Sequence, residues 1–226
     1  MEKYINFSKI PENIKRIKLD IGLSYCAPYT VKWLEKENDL YVFGFEPNPY
    51  SVYSVIQIFN NRQDNDRFQL IPVALNNVEE ETISDFYCMG SQNIGTSSLN
   101  KPNTNSLGIP LQEVIKISVF PLKDFLEKFD WNRFPYIEYM KIDAQGSDID
   151  IVKSAGEYLK KIIYVTLEEE TFANYENIDH NNLNEFKKYF ESMNFIMVTH
   201  PNTVDPTFLN KDYYYLKDEI NIMQGH

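Results

Sequence analysis

Four acidic residues stand at or near the ends of short apolar runs. Asp20 lies in Ile17-Lys18-Leu19-Asp20-Ile21, Glu46 closes the run from Leu40, Asp143 the run from Ile137, and Glu168 the run from Ile162. Such runs read as strands buried on both faces of a parallel sheet. In an open α/β sheet the carboxyl ends of the strands border the ligand crevice. A single acid there is explained by capping the next helix or loop. Four at four strand ends point to a polar site able to hold hydroxyl groups or take protons from them.

Gly22 follows the first run directly, and Glu46 ends the second, roughly two dozen residues later. This is the spacing of a nucleotide-binding turn, with an acid placed to accept both hydroxyls of a ribose. The Gly lets the backbone approach a ligand closely. The dinucleotide fingerprint GxGxxG is missing, since Gly22 is followed by Leu23-Ser24-Tyr25-Cys26-Ala27. A pyrophosphate is then poorly cradled. A ribose-bearing ligand without one fits better, and S-adenosylmethionine is the expected cofactor. A nicotinamide-dependent oxidoreductase shares the acid after the second strand and is the rival enzyme reading. A ligand-binding module without turnover is the third.

If the sulfonium methyl of such a cofactor goes to a hydroxyl, the acceptor oxygen must be held in line and its proton removed. Alignment contributes up to roughly 7–11 kcal/mol, and a general base about 10²–10⁴-fold. Asp143 is the first candidate base and Glu168 the second. The rival role for Asp143 is to position the cofactor or a helix N-terminus. His180, in the acid-rich stretch after Glu168, is a third candidate because histidine titrates near neutral pH. The three His and two Cys show no metal-ligand spacing. Glu168-Glu169-Glu170 with Asp143 is the one set suited to Mg²⁺, and no metal is expected. Tyr213 and Lys217 form the sole Tyr-x-x-x-Lys pair, but in a segment read as a strand rather than a helix.

The elements that hold these residues alternate between strand and helix, which predicts an α/β fold. Strands are expected over 17–21, 40–46, 68–75, 137–143 and 162–168. A further edge strand is expected over 82–88, another strand over 115–119, and a terminal pair over 195–200 and 212–216. Pro28 opens a first helix with Val31 and Leu34 on its face, and Asn48-Pro49 caps and opens a second. Val52, Val55, Ile56 and Phe59 follow it at helical spacing. Leu122, Phe125, Leu126 and Phe129 mark a third, Ile149, Val152 and Ala155 a fourth, and Leu183, Phe186 and Phe190 a last. Residues 89–112 are rich in Gly, Ser, Asn, Thr and Pro, a loop long enough to serve as a lid or an acceptor wall.

The 226 residues carry a net charge of −11, from 22 basic and 33 acidic side chains. Such a chain repels a phosphate backbone, so nucleic acid is not an expected partner. Two cysteines make no disulfide framework. No apolar run approaches the roughly 18 residues that span a bilayer. The reading is a single domain over 1–226, without a membrane span and cytoplasmic, its cofactor-binding half about 17–90 and its acceptor-facing half about 89–226.

Five segments occur in order: Asp20-Ile21-Gly22, Phe45-Glu46-Pro47-Asn48-Pro49, Val73-Ala74-Leu75, Gly95-Thr96-Ser97-Ser98-Leu99 and Lys141-Ile142-Asp143-Ala144-Gln145-Gly146. Together they resemble the FkbM-type family of S-adenosylmethionine-dependent methyltransferases, from about Lys18 to Glu168. The resemblance implies a class I methyltransferase fold, Rossmann-like, with a seven-stranded, mostly parallel sheet, helices on both faces and an antiparallel last strand. It implies O-methylation of a sugar, a glycan or a glycosylated or polyketide natural product. By resemblance Asp20 and Gly22 lie beneath the cofactor and Glu46 holds the ribose, with Ser24, Pro47 and Asn48 beside it. Ala74 and Leu75 lie near the adenine, and Asp143 faces the methionine half and the acceptor. Three departures stand out. Ser24 and Cys26 occupy a loop that usually carries Asn and a second Gly. The usual Lys-Ile-Asp-x-Glu-Gly reads Gln145 at the second acid. The usual Leu-Asp pair reads Leu122-Lys123, with Asp124 one place later.

Overall fold

The computed structural model describes residues 1–90, 94–170, 173–200 and 203–222. Its main sheet has seven strands: β1 (Arg16–Ile21), β2 (Leu40–Phe45), β3 (Phe68–Ile71), β7 (Ile137–Ile142), β8 (Ile162–Thr166), β9 (Phe195–Met197) and β10 (Thr207–Asn210). The order is β3-β2-β1-β7-β8-β10-β9. Pairings from β3 through β8 are parallel, and β10 runs antiparallel to both β8 and β9. A second sheet, β4-β6-β5, joins β4 (Ala74–Leu75), β6 (Leu111–Phe120) and β5 (Thr82–Met89). The fold is thus the class I methyltransferase arrangement, with the last strand inserted antiparallel.

The pleat sends alternate residues to two cores. Tyr41, Phe43 and Phe45 of β2 pack with Phe125, Ile149, Val152, Phe186 and Phe190. These belong to α4 (Lys123–Leu126), α5 (Asp148–Ser154) and α6 (Leu183–Ser192). Leu40 and Val42 face the other way, onto Trp33 and Leu34 of α1 (Pro28–Lys36) and Val55 and Phe59 of α2 (Pro49–Asn60). Both helices open as the sequence predicts, with Pro at the first turn, and Asn48 Oδ1 accepts the Tyr50 N–H at 3.0 Å. The buried face of α2 is narrower than expected. Ser51, Val55 and Phe59 are buried, while Ile56 is exposed.

Several strand boundaries differ from the sequence reading: β6 runs Leu111–Phe120 where 115–119 is expected, β9 ends at Met197 rather than at 200, and two differences are larger. The run Phe68–Leu75 is two strands in two sheets, because Pro72 has no N–H to continue a ladder and Val73 N–H turns back to Ile71 O at 2.9 Å. The strand expected over 212–216 is a run of 3₁₀ turns, Lys211–Leu216. Asn210 Oδ1 starts it by accepting the Asp212 N–H at 3.1 Å. The true last strand is Thr207–Asn210, four buried residues long.

Of residues 89–112, those at 91–93 lie outside the described residues, and the described stretch between β5 and β6 is mostly irregular, with a short α3 (Thr104–Leu107). The described part is tied down. Ser98 pairs with Tyr87 and Pro102 with Tyr175. Ser98 Oγ donates to Gln145 O at 2.7 Å. The segment is therefore a wall against the end of β7 over this stretch.

The chain leaves β1 toward β2 and β3 and later crosses to β7 on the other side, so the switch point lies between β1 and β7. There Gly22 has φ +79°, and a Cβ on it would lie 1.9 Å from Asp143 O. Gly22→Ala should therefore cost about 3 kcal/mol or more of stability. Gly108 also has positive φ but open space around it, so Gly108→Ala should cost only about 1–2 kcal/mol. Urea unfolding of both variants tests this. Equal losses would show that the Asp143 carbonyl simply moves aside.

Candidate active site

A cavity of about 270 Å³ opens at the carboxyl ends of β1, β2, β4 and β7. Gly22, Ser24, Glu46 and Pro47 form one side, and Asp143, Ala144 and Gln145 another. Val73, Ala74, Leu75, Phe86 and Ile151 supply apolar wall, and Gly95, Thr96, Ser97 and Leu99 close it. Of the residues singled out from sequence, Gly22, Ser24, Glu46, Pro47, Ala74, Leu75 and Asp143 thus meet in one space.

Glu46 is held by the turns on either side of it. Its Oε2 accepts the Ser24 N–H at 2.9 Å and its Oε1 the Asn48 N–H at 2.8 Å. Ser24 reaches this position with φ +58°, a conformation that favours glycine. Each carboxylate oxygen keeps lone-pair capacity for a further donor. Burial pushes the Glu46 carboxyl up to about 7 despite these two bonds.

Asn48 and Asp20 do not line the cavity among the described residues. Asn48 is buried behind Glu46, and its Nδ2 donates to Ser97 Oγ at 3.0 Å, tying the wall to the helix start. Asp20 turns toward α1, where its Oδ2 accepts the Thr30 hydroxyl at 2.6 Å. Its Oδ1 is buried with no partner among the described residues, and burial raises its carboxyl. Gly22 does line the cavity, but the close approach that requires a glycine is to the Asp143 carbonyl.

Asp143 sits at the centre of a polar cluster. Its Oδ2 accepts from Lys141 Nζ at 2.9 Å and its Oδ1 from Gln145 Nε2 at 2.8 Å. Burial works against its charge, but Lys141 and hydrogen bonds from Glu168 and Gln145 outweigh that and hold it below the usual carboxylate range. Glu168 lies behind it. Burial and the neighbouring Asp143 charge push Glu168 up, so it keeps its proton and bonds to Asp143. Lys141 is buried beside Asp143 and Asp20, whose charges raise it above its ordinary range against the cost of burial. Its ammonium also lies 4.7 Å from the Tyr29 ring centre.

His180 is not brought to this cluster. Its Nε2 pairs with Asp150 Oδ2 at 2.8 Å, on the α5 flank, and it lines no part of the cavity among the described residues. The geometry thus gives His180 no contact with the reacting space. Among the described residues no three His, Cys, Asp or Glu side chains are grouped to hold a metal ion.

Three residues of the cluster escaped the sequence reading. Asp148 is buried, accepts the Ala144 N–H at 3.3 Å and the Glu168 N–H at 3.1 Å, and so ties the β7 and β8 ends together. Its place in the first turn after Gly146 was a visible signal. Lys141, a charge inside an apolar strand, was another. Tyr175, which donates to Gln145 Oε1 at 2.7 Å, lies in a stretch with no periodic pattern.

Burial also pushes the Asp148 carboxyl up to about 7. In the unfolded chain such carboxyls titrate near about 4. The folded state then binds more protons between about pH 4 and 7. Stability falls as pH rises through that window and levels off above it. Each group contributes at most about 1.4 kcal/mol per pH unit. Glu46→Gln should flatten the fall in urea midpoint from about pH 4.5 to 7. Parallel curves for variant and parent would mean that Glu46 is ionised throughout.

The profile of the FkbM methyltransferase domain matches residues 17–197. No curated protein matches the chain. Among solved structures, TrmK from M. capricolum, in complex with S-adenosyl-homocysteine, is similar at 9% identity. The match covers 92% of this chain and 70% of that one, with a TM-score of 0.46. A precorrin-6y C5,15-methyltransferase from Geobacter metallireducens is 10% identical over 89% of this chain and 85% of its own, TM-score 0.47. The human methyltransferase 10 domain containing protein is 11% identical, covering 89% and 74%, TM-score 0.45. The profile spans most of the chain, and the segments it covers build both the switch point and the cavity: the chain belongs to the FkbM methyltransferase domain family, whose chemistry is S-adenosylmethionine-dependent methyl transfer.

Proposed function

We propose that the chain is an O-methyltransferase acting on a hydroxyl of a sugar, a glycan or a glycosylated natural product. The observation that carries this reading is that Glu46 and Asp143 line one cavity, on either side of the Gly22 turn. The donor set suits S-adenosylmethionine. Glu46 offers both oxygens to the ribose hydroxyls, while Val73, Ala74, Leu75 and Phe86 offer an apolar slot for the adenine. Bound there, the cofactor supplies a methyl group already activated on sulfur. The chain's own residues then orient the acceptor and take its proton. Asp143 is ionised and faces the cavity, so it is the proton acceptor of this reading, with Glu168 holding it in place. A neutral polyhydroxyl acceptor also suits the acidic surroundings, and a net charge of −11 disfavours nucleic acid. A cytoplasmic setting belongs to the same proposal. It is supported by two free cysteines, and no helix of the described residues is long and apolar enough to cross a membrane.

Gln145, where the family pattern carries an acid, supports a second reading, a binding module that keeps the cofactor and lacks turnover. Incubation with methyl-labelled cofactor and a panel of sugars and glycans separates the two. Label in a carbohydrate product supports transfer. Tight cofactor binding with no label transferred to any acceptor, even in a single turnover, supports the module.

Glu46→Ala should weaken S-adenosylmethionine binding by about 1.5–3 kcal/mol, the range for hydrogen bonds to a charged group. An unchanged calorimetric affinity removes Glu46 from ribose recognition. Asp143→Asn should lower the transfer rate about 10²–10⁴-fold with a much smaller change in cofactor affinity. A parallel fall of rate and affinity would instead make Asp143 a cofactor-positioning group.

A further inference from the structure

The Tyr175 hydroxyl lies 2.8 Å from Thr96 O and 2.7 Å from Gln145 Oε1. Both are acceptors, and the phenol's one proton is shared between them, with Gln145 Oε1 the nearer. At its other end the Gln145 amide donates to Asp143 Oδ1 at 2.8 Å and to Glu168 Oε2 at 3.0 Å. An ionised Asp143 only accepts, so in that state the amide turns its NH₂ to the acids and its carbonyl to Tyr175, whereas a protonated pair would accept either orientation without the Tyr175 hydroxyl. Turned over, it would press Oε1 against the Asp143 carboxylate. The backbone of Gln145 is fixed separately: its φ is +51°, and Ser98 Oγ and Asn100 Nδ2 donate to its carbonyl at 2.7 and 3.3 Å. The side chain's rotation is therefore the freedom left to control.

We propose that Tyr175 is a positioning residue for the acid pair. By donating to the Gln145 side-chain carbonyl it keeps the amide NH₂ on Asp143 and Glu168, and so sets how the two carboxyls share one proton. Tyr175 is 4% exposed, and burial raises its hydroxyl far above the ordinary range, so it remains a donor. Its catalytic meaning rests on the reading of Asp143 as proton acceptor, but the contact itself does not.

Other charged or titratable groups face the pair. They are Lys141 from β7, Asp20 from β1, Glu46 at the end of β2, Asp148 from α5 and Glu170 after β8. Tyr29 of α1 lies near as well. Tyr175→Phe leaves all of them in place, so a change in the pair's titration reports the amide.

The test is a carboxyl carbon NMR titration of the full chain labelled in Asp and Glu, with Asp143→Asn and Glu168→Gln identifying the pair's signals. Tyr175→Phe frees the amide to turn over as the pair takes up its second proton, its carbonyl then accepting from a carboxyl. The midpoint of the pair should move up by about one pH unit, the weight of one ordinary hydrogen bond. In a Gln145→Met background the same change should produce no further shift. An unmoved midpoint in folded Tyr175→Phe overturns the proposal, as does an equal shift in both backgrounds. Should Tyr175→Phe not fold, Gln145→Met alone must raise the midpoint, and an unmoved value there overturns it equally. None of these readings needs an acceptor, so failure of methyl transfer and failure of this proposal are separate results.

Discussion

The ends of β1 and β7 touch at the backbone, and both halves of the cavity hang from that contact. Asp143 N–H donates to Ile21 O at 2.9 Å, while the Asp143 carbonyl fills the space where a Gly22 side chain would stand. On the opposite side, Gly22 and Leu23 N–H both donate to Phe45 O, at 2.9 and 3.3 Å. Three strand ends are thereby fixed relative to one another within a single turn. Glu46 is the residue after Phe45, and Asp143 is the residue after Ile142. The two acids on opposite sides of the cavity are set by a contact that neither side chain makes. A larger residue at 22 would push the strand ends apart and move both acids at once.

The two ends of the sheet treat buried charge differently. At the amino ends of the strands, Lys18 is fully buried, donates to Glu37 Oε1 at 2.7 Å and lies 5.2 Å from the Trp33 ring centre. Arg16 pairs there with Glu37, Asp39 and Glu138. Two cations meet three acids there, and burial works against the charge on both Lys18 and Glu138. At the carboxyl ends, Asp20, Asp143 and Asp148 lie near Lys141, and Glu46 and Glu168 lie near Asp143. One cation cannot balance five acids in a buried setting. The excess is relieved by protons, most strongly on Glu168, and by backbone N–H groups on Glu46 and Asp148. The end of the sheet that must handle protons is the end with the larger excess of acids.

The main sheet was legible because its central strands are buried on both faces. Continuous apolar runs such as Leu40–Phe45 admit few other readings, and the acids that follow them mark the carboxyl edge. The two largest departures lie where that signal fades. Pro72 splits a run whose hydrophobicity continues, and the last strand is too short to show a period. At the site, residues placed by strand ends were found from sequence, because topology alone brings them together. Asp148 and Tyr175 were not, since each has a partner distant in the chain, and Lys141 was not, because its charge lies inside an apolar strand. His180 shows the converse: nearness to Glu168 in sequence does not survive the turn that carries it to Asp150.

Gln145 is the departure from the family pattern that the surroundings explain best. It stands in a left-handed conformation between two carboxyls, 2.8 Å from one and 3.0 Å from the other. With Asp143 ionised, Glu168 protonated and Lys141 cationic, the group around an amide is neutral. A carboxylate at position 145 would add a third acid in hydrogen-bond range of two others, and at least one more proton would have to be held there. It would also lose the two N–H bonds that an amide gives. The substitution therefore does not simply delete a charge. It replaces a group that competes for protons with one that distributes hydrogen bonds, and leaves Asp143 as the single ionised carboxylate of the pair facing the cavity.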